Sequence, residues 1–402
     1  MIFLEEEKKQ EEFPELSIGL EQEFETNVKL KAIGVGGCGC NSINRMIKKE
    51  VRGVDFISIN TDFKDLQKSY SPKKIHLVAN ALKGLGTGGD PEIARKAALD
   101  AADKIREELK DAKMVFLTAG LGGGTGSGAT GIVASICKEM EILTLAFIIT
   151  PFDWEGIERI KRAEEGLKSI RENVDSLIVI PNEKLSKLVD ENTHTTTAFD
   201  LADDILIHAV QGVSEIVNKT GYKNIDFADI QSALKNKGKA IIGMGTEEGE
   251  DAAMKAAQKA ISSPLLEETS ISGASNVLFC FTGHPTNSKF KDFDTMGRKI
   301  AEMVSEKGSK PSEINFGIYY DNSIPENAVR VIIFATGFEK GKEVIHQKEK
   351  DIFQTKLGTG VEVKQTPNSY SFSKESQPNY FELLGENIED KNKAAYFRLK
   401  KD

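Results

Sequence analysis

Short apolar runs alternate with segments of helical periodicity through the first half of the chain. Five runs of strand length predict buried β-strands at 28–33, 54–60, 114–118, 142–149 and 176–180. Behind the third run, apolar residues recur at the spacing of one helix face from Ala129 to Met140. This alternation predicts an α/β fold, a doubly wound and mostly parallel sheet with helices on both faces.

The second half of the chain has a different pattern. A wide apolar stripe predicts one long helix at 197–218, which joins the sheet to a smaller α+β domain. That domain is predicted from a helix at 252–261 and strands at 276–282, 314–320 and 329–336. Three folded parts are predicted: an α/β domain at 28–196, a central helix at 197–219 and an α+β domain at 220–338. The other segments are an acidic extension without stable order at 1–27, a disordered linker at 339–388 and a terminal peptide at 389–402.

A glycine-rich stretch follows the third predicted strand. It has five glycines between positions 122 and 128, more than a short strand-to-helix connection needs. Backbone N–H groups at such a helix start can bind an anion, and Thr125 and Ser127 add hydroxyls. The stretch therefore predicts a cradle for a di- or triphosphate, with a flexible loop as the alternative. No Walker A motif occurs in the chain.

Two further glycine turns precede predicted helices. Gly34, Gly36 and Gly39 match the G-x-G-x-x-G spacing, and Asp62 follows the next strand, as in NAD-binding domains. The third turn, at 84–90, leads into a helix predicted from 92 to 109, with Pro91 at its start. A dinucleotide fold uses one such turn, so three of them favour a ring of loops around one polyphosphate.

Charge and cysteine content narrow the class of protein. Of the net charge of −9, the segment 1–27 supplies −7 through nine Glu and two Lys. The remainder is close to neutral, which argues against a nucleic-acid surface, and no apolar run is long enough to span a membrane. Four cysteines do not form a disulfide framework and indicate a reducing cytoplasm. Cys38 and Cys40 have no neighbouring ligands, so no protein metal site is predicted.

Two other features have competing interpretations. Asp226 and Asp229, three residues apart at a helix start, are typical of a cap and a first-turn charge. The last twelve residues carry five basic groups and one Asp, with Tyr396, Phe397 and Leu399 among them. This segment is either a plain tail or a peptide that docks on a partner protein.

The ordered motifs at 34–41, 122–128, 151–159 and 224–229 resemble the FtsZ family of bacterial tubulin homologues, over roughly residues 28–338. The resemblance implies that the α/β domain binds GTP or GDP with Mg²⁺. The implied nucleotide contacts are Gly36, Gly37, Cys38, Gly39, Cys40, Asn41, Gly123, Gly124, Thr125, Gly126 and Ser127 for the phosphates, Gly86, Thr87, Gly88 and Gly89 for the γ-phosphate, Asn60 and Asp62 near the phosphates and Mg²⁺, Pro151, Glu155 and Arg159 around the ribose, and Asn182, Phe199 and Asp203 for the guanine.

The resemblance also changes the interpretation of the paired acids. It implies that Asn224, Asp226 and Asp229 act on the nucleotide of an adjacent subunit, so that GTP hydrolysis depends on head-to-tail assembly. The implied role is the cytoplasmic scaffold of the division ring at mid-cell, with division proteins bound through the terminal peptide. The usual proline before the aromatic residue of that peptide is absent. Two alternatives are a tubulin-like filament for plasmid partition or cell shape, and an NAD(P)-dependent oxidoreductase.

Overall fold

A computed structural model of the chain describes residues 28–78, 84–185, 193–218, 221–261, 271–286, 288–305, 311, 313–322 and 324–338, without the side chains at 195, 196 and 199–202. The strands are β1 Leu30–Val35, β2 Asp55–Asn60, β3 Lys73–His76, β4 Met114–Gly120, β5 Leu143–Thr150, β6 Ser176–Pro181, β7 Gly238–Glu248, β8 Asn276–Gly283, β9 Glu313–Tyr320 and β10 Ala328–Thr336. The helices are α1 Gly36–Lys48, α2 Phe63–Gln67, α3 Pro91–Asp100, α4 Ala102–Leu109, α5 Gly124–Glu139, α6 Ile157–Arg171, α7 Asn182–Leu185, α8 Thr195–Asn218, α9 Phe227–Leu234, α10 Ala252–Ile261 and α11 Phe290–Val304.

All ten strands form one sheet in the order β3-β2-β1-β4-β5-β6-β7-β10-β8-β9. The strands from β1 to β6 are parallel, as the alternation of strands and helices predicted. β7 pairs in parallel with the start of β6 at two positions, Ser176 with Gly238 and Leu177 with Lys239. β10 pairs with β7 and with β8, in both cases antiparallel. β9 pairs with β8 in parallel. The mixed second half agrees with the predicted α+β pattern.

The helices cover both faces of this sheet. On one face a single apolar cluster runs from β1 to β10 beneath α8 and α9, with Phe116, Val210 and Phe334 among its buried members. On the other face, α3, α4, α5 and α6 cover the parallel strands, and α10 and α11 cover the second half through a separate cluster. Because α8 packs on the face shared by both halves, it has the joining position predicted for the central helix.

Several predicted elements differ from the observed ones. The helix predicted from 92 to 109 is two helices, since Ala101 leaves the helical conformation at φ −97° and ψ 6°. β7 was not predicted, because glycines interrupt its apolar pattern. Those glycines let α10 approach the strand: a Cβ on Gly243 would lie 1.8 Å from the carbonyl oxygen of Ala260, and one on Gly245 1.9 Å from that of Ala256. The helix α11 and the short strand β3 were also missed.

The predicted domain boundaries stay a prediction. The extension at 1–27, the linker at 339–388 and the terminal peptide with Tyr396, Phe397 and Leu399 lie outside the described residues.

Candidate functional site

The turns that follow β1 and β4 meet at one edge of the sheet. β1 pairs with both β2 and β4 in parallel, so the connections after these strands leave the same edge. α1 begins directly after β1 at Gly36, whose φ of +73° favours glycine. A Cβ on Gly36 would lie 3.1 Å from the amide nitrogen of Gly126. The first and third glycine turns are therefore in contact.

The third turn contains glycines of two kinds. A Cβ on Gly124 would lie 1.9 Å from Thr87 Oγ1, and one on Gly126 would lie 2.0 Å from the carbonyl oxygen of Gly120. A Cβ on Gly123, in contrast, would meet no atom within 4 Å. Close packing between turns thus requires glycine at two of these positions, whereas the sequence interpretation attributed the glycines to anion approach.

The hydroxyl groups of this turn have different environments. Thr125 Oγ1 lies 2.7 Å from the Oγ1 of Thr61, the residue that follows β2. Ser127 is buried, and its Oγ accepts a hydrogen bond from the Gly122 N–H at 2.9 Å. This bond closes the turn on itself and leaves the Ser127 O–H as a donor, so the role of this hydroxyl at an anion site stays a prediction.

The helices α1 and α5 begin without side-chain caps. The residues before them, Val35 and Gly123, make no side-chain capping bond, and neither first turn contains an acid. The neighbouring helices α2 and α3 are capped by Asp62 and Asp90, which accept from Asp65 N at 3.0 Å and Glu92 N at 2.9 Å. The first N–H groups of a helix need partners, and an anion can supply them. Two uncapped helix starts at one cleft suit a phosphate chain.

The second turn, at 84–90, is held by its neighbours on three sides. Gly86, Gly88 and Gly89 have φ of +82°, +60° and +88°, so their backbone requires glycine. Leu85 forms a β-bridge with Asp62, and Thr87 packs against the start of α5 as described above. On the third side, Arg162 Nη1 of α6 donates to the Gly89 carbonyl at 2.5 Å.

The end of β2 is a small polar network beside this turn. Asn60 is buried; its Oδ1 accepts from the Asp62 N–H at 3.3 Å, and its Nδ2 donates to Asp65 Oδ2 at 3.0 Å. The same Asp65 oxygen would lie 3.2 Å from a Cβ on Gly37. Asn60 and Asp62 therefore support the turns, and Asp65 is an additional carboxylate near the first turn that the sequence analysis missed.

An open cleft of about 300 Å³ lies between these turns and the ends of β4, β5 and β6. Eleven predicted contacts line it: Gly36, Gly37, Cys38, Gly123, Gly124, Thr125, Gly126, Pro151, Glu155, Arg159 and Asn182. The lining also includes Gly120, Leu121, Ile149 and Thr150, which were not predicted. These four lie at strand ends, where the carboxyl edge of a parallel sheet could have indicated them. The remaining predicted contacts are outside the lining.

Glu155 and Arg159 pair with each other at one wall of the cleft. Glu155 accepts from Arg159 Nη1, and its other carboxylate oxygen accepts from the Phe152 N–H at 2.9 Å. Glu155 is thereby fixed at the end of a short 3-10 turn, Asp153–Glu155. The more exposed Arg159 is the freer of the two for a ligand's hydroxyl or phosphate oxygens.

Asn182, which also lines the cleft, has an unsatisfied polar atom. Its Oδ1 is buried and has no hydrogen-bond partner among the described residues, although the side chain lines the cleft. A buried acceptor without a partner costs stability, so a ligand N–H group at this position would be favoured. A ligand with a donor edge, such as a nucleotide base, is one kind of group that could supply this partner.

Asp203 of α8 lies against α1 and does not line the cleft. Its carboxylate accepts from Ser42 Oγ at 2.6 Å and from Arg45 Nη1 at 3.0 Å. These two bonds tie α8 to α1. The predicted stacking residue Phe199 is in the same helix, but its side chain is outside the description.

Cys40, another predicted phosphate contact, is not among the residues that line the cleft. Its thiol is turned into the core, 3.8 Å from the carbonyl oxygen of Gly34 and 3.7 Å from that of Ile59. Burial raises the pKa of Cys40 to about 12. Gly39 packs against the Thr118 carbonyl, while Asn41 is exposed. Only the first three residues of α1 reach the cleft, because later residues of a helix turn to other faces.

The predicted catalytic loop lies beyond the far end of α8. Asn224 Oδ1 accepts from the Gly221 N–H at 2.6 Å, and Asp229 Oδ2 accepts from the Asp226 N–H at 3.2 Å. Asn224 and Asp226 are exposed, and Asp229 is half-buried. The capping geometry expected from spacing alone is therefore present. Asp203, beside the cleft, and Asn218, at the end of α8, are separated by about 22 Å along the helix, so the loop is remote from the cleft of its own subunit.

Among the described residues, no helix has the length and apolar character needed to cross a bilayer. No three of their His, Cys, Asp and Glu side chains are grouped so that they could hold a metal ion.

Family models match most of the described chain. The GTPase domain of the Tubulin/FtsZ family matches residues 29–190, and the C-terminal domain of the FtsZ family matches residues 238–339. The first match contains the whole cleft lining.

Individual relatives agree with these models. The chain is 43% identical to the cell division protein FtsZ of Helicobacter pylori strain J99 over 314 residues, 78% of this chain and 80% of the relative. It is 41% identical to the cell division protein FtsZ 1 of Thermococcus kodakarensis over 325 residues, 81% and 85% of the two chains. Among solved structures, an empty FtsZ dimer from M. jannaschii superposes with a TM-score of 0.68 at 38% identity, covering 77% of this chain and 88% of that one.

Proposed function

The chain belongs to the FtsZ family, and from this membership we propose that it is a cell-division GTPase that assembles head to tail and hydrolyses GTP between subunits. The observation that carries the proposal is the separation described above. The cleft has uncapped helix starts, while the exposed carboxylate of Asp226 and the half-buried carboxylate of Asp229 lie beyond the other end of α8. A second subunit that places its loop over the first subunit's cleft would complete one site.

In the cleft, the first N–H groups of α1 and α5 would hold the phosphates of GTP or GDP. Asn182 Oδ1 would accept from an N–H group of the guanine, and Arg159 would contact the ribose side. The turn at 84–90 would meet the γ-phosphate. Mg²⁺ generally binds through one or two carboxylates together with substrate phosphates, so Asp62 is the residue that would help to hold it.

At the interface, the loop would act on a water molecule. Asp226 and Asp229 would orient that water by accepting its hydrogen bonds, and Asn224 would help to position it. The water oxygen would bond to the γ-phosphorus as the bond to the β–γ bridging oxygen breaks. An isolated subunit would lack these carboxylates at its own cleft. Hydrolysis would therefore depend on assembly.

The wider biology follows from the same membership. Head-to-tail contacts that do not close produce open filaments, which suit a division scaffold at mid-cell in the cytoplasm. The names of the relatives favour cell division over plasmid partition or cell shape, and the family match displaces the oxidoreductase interpretation. Division proteins would bind the terminal peptide at Tyr396, Phe397 and Leu399.

A complementation experiment tests the divided site. Gly123→Asp places a carboxylate in open space within the cleft, where it repels phosphates, and Asp229→Asn removes the charge of the loop. Neither variant alone should hydrolyse GTP. Their mixture should regain turnover, because some interfaces combine an intact cleft with an intact loop.

The controls are co-sedimentation of Gly123→Asp with filaments and retained activity in Gly123→Ala, which fits the same space. Turnover per wild-type subunit should also rise above a threshold protein concentration, together with light scattering. A dispersed subunit that hydrolyses GTP at full rate would contradict the proposal.

A further inference from the structure

The turn at 84–90 has little conformational restraint of its own. Gly84, Gly86, Gly88 and Gly89 all have positive φ, and glycine has no side chain through which a turn could be fixed. Ordering such a segment costs conformational entropy unless neighbouring groups already hold it. The position of this turn therefore depends on contacts from outside it.

Arg162 supplies a charged contact at the end of the turn. Its Nη1 donates to the Gly89 carbonyl at 2.5 Å, and its Nε donates to the Glu158 carbonyl of the same helix at 3.0 Å. The second bond fixes the guanidinium on α6, so that the first one ties the turn to the helix. A Cβ on Gly89 would lie 2.9 Å from Nη1, which shows how closely the two fit.

Arg162 is not among the residues that line the cleft. Its effect on a nucleotide must therefore pass through the turn. Lys161, the preceding residue, pairs with the Glu158 side chain at 3.3 Å and contacts no part of the turn among the described residues. Arg162 and Lys161 are thus adjacent cations of α6 with different partners, the turn for Arg162 and the Glu158 side chain for Lys161.

We propose that Arg162 is a positioning residue that holds the 84–90 turn in place for the terminal phosphate and so strengthens the binding of GTP without changing that of GDP. This inference rests on the proposed function of the cleft. In the proposed function this turn meets the γ-phosphate, which GDP lacks, so the affinity for GDP should not depend on the order of the turn. If the turn is not ordered before binding, the conformational entropy lost when it becomes ordered weakens the affinity for GTP.

The test measures equilibrium affinities for GDP and for a non-hydrolysable GTP analogue, at protein concentrations below assembly. Arg162→Met should lower the affinity for the GTP analogue by about tenfold and leave the affinity for GDP unchanged. Arg162→Lys should fall between, since one ammonium can reach the carbonyl but lacks the second bond to α6. Lys161→Met is the matched control and should bind both nucleotides as the wild type does.

Hydrogen exchange provides a readout that needs no nucleotide. In the free protein, the amides at 84–90 should exchange faster in Arg162→Met than in Lys161→Met, while those of α6 stay equally protected. If Arg162→Met folds poorly, Arg162→Gln offers a polar side chain too short to reach Gly89. Equal weakening of both nucleotides, or no weakening of either, overturns the role of Arg162. A wild-type protein that binds neither nucleotide would instead overturn the proposed function.

Discussion

The cleft and the loop beyond α8 use polar groups in opposite ways. At the cleft, α1 and α5 begin without side-chain caps, so that their first backbone N–H groups can bind a ligand. At the loop, the backbone is satisfied by Asn224 and Asp229, and carboxylate oxygens face solvent. The cleft is therefore suited to binding an anion, while the loop is suited to accepting hydrogen bonds from water.

Under the proposed function, the two regions carry out different steps, the cleft binding the nucleotide and the loop orienting water. Their separation along α8 then requires the loop of a neighbouring subunit to complete the site. Substitutions can therefore remove binding, chemistry or stability separately, depending on which region they change.

The largest effect is expected at the loop. Asp229→Asn should lower GTP turnover by about 10²- to 10⁴-fold, the range for loss of a general base, without changing GTP affinity. Turnover and nucleotide binding measured on the same preparation check this. Asp229→Ala should lose turnover equally, and it should also lose thermal stability, because Asp229 Oδ2 no longer accepts from the Asp226 N–H.

The matched control is Asp292→Ala, which removes a first-turn acid from α11 in the same half of the molecule. It should leave turnover at the wild-type level. If turnover persisted in Asp229→Asn, the chemistry would have to lie elsewhere, and the contrast between cleft and loop would fail.

The second effect tests packing at the cleft. Gly124→Ala places a methyl group 1.9 Å from Thr87 Oγ1, so the start of α5 and the 84–90 turn must separate. Overpacking of this kind costs about 1–3 kcal/mol, and GTP affinity should fall as well. Thermal unfolding and nucleotide binding measure the two changes.

Gly123→Ala is the neighbouring control, since its methyl group meets open space. Equal losses in the two variants would show that glycine is needed at both positions for anion approach, as the sequence interpretation held, and that packing is not the reason.

The parallel half of the fold was predictable because its strands are buried on both faces. Such strands read as unbroken apolar runs, and β4 and β5 were found within a few residues of their observed ends. β7 was hidden because Gly243 and Gly245 make room for α10, a tertiary contact with no local signal. In the same way, the sequence placed Cys40 near the phosphates but could not tell which face of α1 it occupies.

The site was only partly predictable for a related reason. Glycine turns can be read from the chain, whereas the absence of a cap at α1 and α5 becomes meaningful only when both starts meet at one cleft. Arg162 lies among other charged residues of α6 and has the appearance of a solvated surface residue. Its contact with Gly89 joins positions 73 residues apart, which no local pattern reveals. Asn182 was indicated by family resemblance alone.

The third effect concerns recognition of the base. Asn182→Ala should weaken GTP binding by about tenfold, the loss of roughly one hydrogen bond to a polar edge. Because Asn182 Oδ1 has no partner in the described structure, the same change should leave the nucleotide-free protein as stable as before, or more so. Asn173→Ala removes an amide that bonds within α6, and its GTP affinity should be unchanged. A stability loss without an affinity loss in Asn182→Ala would make the residue structural.

The smallest effect lies between the two regions, at His208 of α8. Burial lowers the pKa of His208, the carboxylate of Asp204 acts in the opposite direction, and Arg330 and Lys49 lower it further. The folded protein therefore favours the neutral ring, and the unfolded chain binds a proton at higher pH. The stability that this provides is present above the unfolded pKa of about 6.5 and is lost as the pH falls from that value towards the folded pKa.

His208→Gln removes this dependence, so its melting temperature should fall less than that of the wild type between about pH 7.5 and about pH 5.5. His194→Gln, which changes an exposed histidine just before α8, should follow the wild type. GTP affinity and turnover at pH 7.5 should be normal in both, since neither ring is in the cleft or the loop. An equal fall in all three proteins would show that protonation of His208 is not opposed in the folded state. A loss of turnover in His208→Gln alone would instead mean that a change in the middle of α8 alters either the cleft or the loop.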